Sequence, residues 1–475
     1  MSELQAWAMR IVQMSTHKPA IASMLVLITL HANLPDVNDK LVFVNVTSKL
    51  HLTIQPINNI RTRTRRANSI LSSAYSREFA LKTLLPEMGG SIAIGYDSGD
   101  NEYLYVTIPG GRNHLFESKG TESFTDVTAE AAVGGNGNSL SATFADYDHS
   151  GHPSLFVVGG GGITLFHNNG NGTFTDLTRV SGLQNRPGEV DTYALLFDID
   201  NDGFLDLLVT TYTELDSPPS KASFLFPDDF PASFSRLYRN LGNGRFADIT
   251  TTAGLNNNPG RTRKAVAADF DNDGYLDLLL LRDNKPPALL MNQKHCTFRD
   301  ATWDAGDMEK VWKYAFLDAQ VADFDRDGKL DIALWSSVIS TVLWNRGGGK
   351  FMNSGSPPAL TQPNRPFGFV GTVLDLHNDS HLSLLAADDH YNLHLIANLG
   401  GSFQVLNFEL CPETGAAKRP EAAMESAFLR DLAFVVPIRF PHAPELVLLT
   451  LSIGGELRAF EEAHTITEPH KTSNP

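Results

Sequence analysis

Aspartate recurs at alternate positions in three short segments of this chain. In LFDIDNDGFLDLLV (196–209), loop positions one, three, five and nine are Asp198, Asp200, Asp202 and Asp206. The same positions hold Asp269, Asp271, Asp273 and Asp277, then Asp323, Asp325, Asp327 and Asp331. Alternate carboxylates in a tight loop converge on one point, and calcium, a hard cation, takes about six to eight oxygens. Glycine at position six (Gly203, Gly274, Gly328) permits the sharp turn, because only glycine enters such backbone regions freely. By analogy with the EF-hand loop, the carbonyl at position seven (Phe204, Tyr275, Lys329) is the expected backbone ligand. Magnesium suits such a cage less well, since it retains water. Without a cation the carboxylates are expected to repel one another and raise their own pKa values.

Two further copies are weaker. The 146–154 loop keeps Asp146 and Asp148 but has Ser150 and Ser154 at positions five and nine. It is expected to bind weakly, with water completing the shell. The 375–383 loop has His377, Asp379, Ser380 and Ser383, has lost the turn glycine and the last carboxylate, and is expected to be empty. The expectation is therefore about three strong calcium sites and one weak one.

These loops sit in a repeat. Their first positions, Asp146, Asp198, Asp269, Asp323 and Asp375, are spaced 52, 71, 54 and 52 residues apart. An eroded copy, IAIGYDSGDNEYLYV (92–106), aligns Gly95 with Asp146. A second marker, a Phe-centred strand after an Asn/Gly turn, gives Phe124, Phe174, Phe246, Phe298, Phe351 and Phe403, spaced 50, 72, 52, 53 and 52. Both markers share one period and the same oversized third interval. Each period reads as four short strands with little helical periodicity. The strands leaving the acidic loops are nearly continuous in apolar residues, as when both sheet faces are covered. Radially stacked four-stranded sheets achieve that, so the expected fold is an all-β, seven-bladed β-propeller. Its last blade takes PELVLLTLSIGGELRAF (444–460) and closes on an N-terminal strand in LVFVNVTSKL (41–50), which removes exposed edges. The expected organisation is an N-terminal extension (1–40), the propeller (41–465) and a tail (466–475).

The 475 residues carry 54 acidic and 38 basic side chains, a formal charge of −16 that disfavours nucleic-acid binding and suits a holder of divalent cations. The apolar run Ala20–Leu30 reads equally as a secretory h-region and as an edge helix, and is too short to span a bilayer comfortably. Cys296 and Cys411 make no disulfide framework and are expected to be buried free thiols. No phosphate-binding loop, nucleophile elbow or zinc-protease helix is present. His377, His381, His390 and His394 gather in one repeat, but strand alternation would scatter them. RTRTRR (61–66) reads as a solvated loop. The extra length of the third period, 211–235, is rich in Pro and Phe, and reads equally as a loop packed on its own blade and as a partner contact.

The D-x-D-x-D-G-x-x-D loops, each followed by an apolar strand and an N-x-G-x-G-x-F-x-D-x-T hairpin, resemble FG-GAP/VCBS repeats. They are similar to the integrin α-chain propeller and especially to the cartilage-acidic-protein (ASPIC/UnbV-type) group, over roughly residues 41–460. The C-terminal domain often found after the propeller in that group is not recognisable in this sequence. The resemblance implies calcium on one rim and a protein or glycan ligand on the opposite face, whose loops here include 183–191, 256–263, 304–314 and 358–367. The expected function is a non-enzymatic binding or adhesion module, secreted or otherwise extracytoplasmic, with no nucleic-acid partner and no membrane span. The alternative is an enzyme that uses the propeller as a scaffold and acts on carbohydrate, such as a lyase or dehydratase.

Overall fold

In the computed structural model, described for most of residues 41–463, β-strands make up nearly all of the regular structure. Residues 1–40 and 464–475 lie outside the described residues, as do internal stretches of which 55–68, 72–84, 217–222, 354–360, 376–381, 412–431 and 439–446 are the longest. Seven antiparallel four-stranded sheets form a seven-bladed β-propeller.

Blade 1 comprises Ile92–Tyr96, Asn101–Val106, His114–Lys119 and Thr125–Asp126. Blade 2 comprises Ser139–Ala145, Ser154–Gly159, Gly162–Asn168 and Phe174–Asp176. Blade 3 runs Glu189–Phe197, Asp206–Glu214, Arg236–Asn240 and Phe246–Asp248. Blade 4 runs Thr262–Ala268, Asp277–Arg282, Ala288–Asn292 and Phe298–Asp300. Blade 5 has Phe316–Ala322, Asp331–Ser336, Ser340–Asn345 and Phe351–Asn353. Blade 6 has Arg365–Asp375, Leu382–Asp388, Leu393–Asn398 and Phe403–Leu406, with Thr361–Gln362 added at its edge.

Blade 7 joins both ends of the chain. Leu432–Ile438, Val447–Ser452 and Leu457–Ala463 are completed by Leu41–Asn45, antiparallel to the last of them. A parallel strand, Phe408–Cys411, adds to the outside of Leu41–Asn45. The expected N-terminal closure is thus present. It hides the apolar face of blade 7 against blade 1, where Val447, Leu449 and Leu457 share a core with Leu104, Val106 and Phe116.

The core is divided into interfaces between blades. The strand that leaves each acidic loop is buried along its whole length in blade 4 (Asp277–Arg282) and blade 5 (Asp331–Ser336), because a neighbouring blade covers each face. The oversized third period packs partly on its own fold. Phe230 is buried with Leu85, Val190 and Tyr212, and Ser223–Leu225 pairs with Ser69–Leu71. The N-terminal apolar run and the RTRTRR segment lie outside the described residues.

Candidate metal centre

Each acidic loop joins the first two strands of its blade, so antiparallel pairing brings position nine beside the residue before position one. Phe197 pairs with Asp206, Ala268 with Asp277 and Ala322 with Asp331. Position four is left-handed in four of these loops: His149, Asn201, Asn272 and Arg326 have φ of 59°, 59°, 62° and 62°. Position six follows at φ of 92° in Gly203, 88° in Gly274 and 82° in Gly328. An added Cβ at these glycines would meet nothing within 4 Å, so backbone conformation alone requires glycine there.

The first aspartate caps the turn. Asp198 accepts from the N–H groups of Asp202 and Gly203 at 3.1 and 3.0 Å. Asp269 accepts from Asp273 and Gly274, and Asp323 from Asp327 and Gly328, at 2.8–3.0 Å. At position five, Asp202, Asp273 and Asp327 accept from the N–H groups of Phe204, Tyr275 and Lys329. Asp146 makes the equivalent bonds to Ser150 and Gly151, and Asp148 lies 3.3 Å from His167.

Three groups of carboxylates converge, with ligand oxygens within 4.8 Å of one another: Asp198, Asp200 and Asp206; Asp269, Asp271 and Asp273; Asp323, Asp325 and Asp331. Calcium–oxygen distances of about 2.3–2.6 Å put opposed ligands about 5 Å apart, so one ion bridges such a set. The buried Asp200 Oδ1 and Asp325 Oδ1 have no hydrogen-bond partner, while the other oxygen of Asp200 pairs with Arg239 at 2.6 Å. Of the remaining expected ligands, Asp202 is held by Arg239 at 3.1 Å and Asp327 by Lys329 at 2.5 Å. Asp277 uses both oxygens on backbone N–H groups, those of Phe270 and Asn292.

Burial is the first cause of the raised pKa values in these loops. It pushes Asp206 up to about 8, and Asp277 and Asp331 up to about 7, with repulsion from neighbouring aspartates secondary. Asp198, Asp269 and Asp323 are raised for the same reasons, and their backbone hydrogen bonds oppose the shift. Repulsion between the aspartates raises these values as expected, and loss of water contributes more.

Sequence reasoning missed what fixes the loops to one another. Asn240 Nδ2 donates to Leu205 O of its own blade and to Tyr147 O of blade 2, at 3.0 and 2.8 Å. Asn292 bridges Leu276 O and Ile199 O, Asn345 bridges Leu330 O and Phe270 O, and Asn398 reaches Phe324 O. The asparagine that ends the third strand of blades 3, 4, 5 and 6 thus ties position two of the preceding blade's loop to its own blade. The ring under that carbonyl packs on the Phe marker: Tyr147 against Phe246, Phe270 against Phe351, and Phe324 against Phe403, at 5.5–5.9 Å. The two sequence markers share a period because they touch. The loops also link along the rim, His149 to Gly203 O, Asn201 to Gly274 O and Asn272 to Gly328 O.

Blade 1 departs from its expected alignment. Gly95 lies inside the first strand, where a Cβ would strike the Phe144 ring at 2.7 Å, and Asp97 is the first residue after that strand. Tyr96 pairs with Glu102, so Glu102 occupies position nine of a shorter loop. Cys296 is a free thiol, half-buried instead of buried, and donates to Asp200 Oδ2 at 3.3 Å. The 375–383 loop and three of the four gathered histidines fall largely outside the described residues.

The acidic loops recur on a seven-bladed β-propeller, and the family model of FG-GAP-like repeats matches residues 148–209, 228–280 and 323–386. The chain is similar to cartilage acidic protein 1. It is 29% identical to that protein of Mus musculus over 261 residues, which cover 50% of this chain and 35% of the relative. The Homo sapiens protein matches at 29% over 50% of this chain and 34% of its own length. The match therefore spans about a third of those relatives. A solved lectin of Agrocybe aegerita, described as recognising terminal N-acetylglucosamine, superposes with a TM-score of 0.40 at 15% identity, covering 67% of this chain and 80% of the lectin. Among the described residues no helix is long and apolar enough to cross a membrane.

Proposed function

We propose that this chain is a calcium-binding propeller that serves as a non-enzymatic protein- or glycan-binding module outside the cytoplasm. The propeller domain runs from 41 to 465, with 1–40 and 466–475 outside it. Calcium is held at positions one, three, five and nine, with the position-seven carbonyls of Phe204, Tyr275 and Lys329 completing the shell. A weak fourth ion sits on Asp146, Asp148 and Ser150, where two carboxylates are replaced by serines.

The observation that carries this reading is the pair of partnerless buried oxygens, Asp200 Oδ1 and Asp325 Oδ1, within converging carboxylate sets. A buried carboxylate oxygen without a donor is costly, and a bound cation removes that cost. Sites of this composition fill readily where calcium is abundant, which supports an extracytoplasmic setting.

Metal analysis of the purified full chain, with melting curves in calcium and in EDTA, tests the proposal. About three calcium ions per chain are expected, with EDTA lowering Tm on the order of 10 °C, since each occupied site stabilises the folded state by mass action. A chain with no divalent metal and a melting curve indifferent to EDTA overturns it.

A further inference from the structure

One cavity lies away from the acidic rim. It has a volume of about 700 Å³ and opens between blades 3 and 4, at the end of blade 4 opposite its acidic loop. Arg282, Lys285, Asp300 and Trp303 line it from blade 4, and Ser235 and Leu255 from blade 3. The size is that of a small-molecule site.

Four features set it apart from a gap between blades. Arg282 ends the second strand of blade 4, five residues after position nine, where blades 2, 3 and 5 have Gly159, Thr211 and Ser336. Trp303 lies five residues after the Phe marker, where blades 1, 2 and 3 have Ala129, Arg179 and Thr251. The repeat scaffold requires neither residue, yet both converge on this cavity. Trp303 is 65% exposed, an indole displayed at the mouth. Ser235 is only 5% exposed, and its hydroxyl has no hydrogen-bond partner.

The polarity of the site indicates the ligand. Arg282 is 3% exposed, with its Nε donating to Pro286 O at 2.8 Å, and its stem crosses Gly260, where a Cβ would meet Arg282 Cδ at 2.5 Å. Among the described lining residues Arg282 and Lys285 stand with one carboxylate, Asp300, so that lining carries an excess positive charge on a chain of formal charge −16. Burial holds Arg282 down to about 10 and Asp300 only partly offsets it, so the guanidinium stays charged at neutral pH.

We propose that this cavity binds a carboxylate-bearing sugar. The carboxylate meets Arg282 and Lys285, the C–H face of the ring stacks on Trp303, and a ring hydroxyl reaches Ser235 Oγ. A pocket of this volume holds one or two sugar rings better than an extended peptide. The inference deepens the binding-module reading and rests on it, while making no use of the metal loops.

The test is calorimetric titration of the calcium-loaded full chain with methyl glucuronoside, the methyl glycoside of N-acetylneuraminic acid, methyl glucoside and an acidic tetrapeptide. Carboxylated sugars are expected to bind at least about tenfold more tightly than the neutral glucoside. Trp303→Ala and Lys285→Glu, both at exposed positions, are expected to weaken that binding about tenfold each, with Tm unchanged. Equal binding of the neutral sugar, unchanged affinity in Trp303→Ala, or binding of the tetrapeptide alone each overturns the assignment. A calcium-dependent protein ligand with no sugar binding sinks this inference and leaves the broader reading standing. A chain devoid of calcium sinks the broader reading on separate grounds.

Discussion

Blades 2 and 4 share one local geometry and differ in two acids, at positions five and nine. At position nine, blade 4 has Asp277, which accepts from Asn292 N at 2.7 Å; blade 2 has Ser154, whose hydroxyl accepts from Asn168 N at 3.1 Å. Ser383 in blade 6 does the same for Asn398 N, at 3.3 Å. The strand contact survives the exchange and the negative charge does not. Position nine therefore has two separable duties, pinning the third strand and charging the loop. Serine performs only the first.

The comparison is broken most severely at Asp277. Asp277→Ala leaves the N–H groups of Phe270 and Asn292 without acceptors and removes a proposed ligand, so a loss of about 3–5 kcal/mol is expected in calcium. Asp277→Ser keeps the bond to Asn292 and is expected to lose about half as much, together with one bound ion. Denaturant titrations with and without calcium measure both. Equal losses for the two variants would mean that position nine has a single duty.

Next in size is the clamp. Asn292→Ala frees the carbonyls of Ile199 and Leu276, and a loss of about 2 kcal/mol is expected. That loss is predicted to be the same in calcium and in EDTA, because the clamp holds the loop and not the ion. A loss that vanishes in EDTA would reassign the asparagine to the metal site. Running the exchange in the other direction, Ser150→Asp with Ser154→Asp gives blade 2 the full set of loop carboxylates. Metal analysis is expected to find about one further tightly held calcium ion, worth about 1–2 kcal/mol. An unchanged metal content would show that the carboxylate count alone does not make the site.

The propeller was legible because its two markers report contacts. The aromatic at loop position two and the Phe of the next blade's outer strand pack on each other, so their shared spacing mirrors an interface. The acidic loops were legible because alternation along a tight turn converts directly into convergence. The asparagine clamp was not, since N-x-G satisfies a turn reading completely and the bond from Nδ2 reaches 75 residues back, from Asn345 to Phe270. Nor was the cavity between blades 3 and 4, because Arg282 and Trp303 are 21 residues apart in sequence and meet only when the sheet folds. The signal available was their departure from the repeat at those positions.

Blade 1 gives the smallest and most specific prediction. An ungapped alignment misplaced its loop, because the loop is shorter and the acid at position nine is Glu102. Glu102 is 3% exposed, neither carboxylate oxygen has a hydrogen-bond partner, and burial pushes it up to about 7. Its folded pKa therefore lies above the ordinary carboxylate value, and the folded chain binds the proton more tightly than the unfolded one. The group's contribution to stability is fully present below the unfolded pKa and is lost as pH rises through about 7. Glu102→Gln removes that dependence. The variant is expected to match the parent near pH 4.5 and to melt about 1–2 °C higher at pH 8, with the aspartate loops cancelling in the difference. Equal melting at both values would mean that the carboxylate of blade 1 is compensated when ionised, as a bound cation would compensate it, and blade 1 would then join blades 3, 4 and 5 as a candidate metal-holding blade.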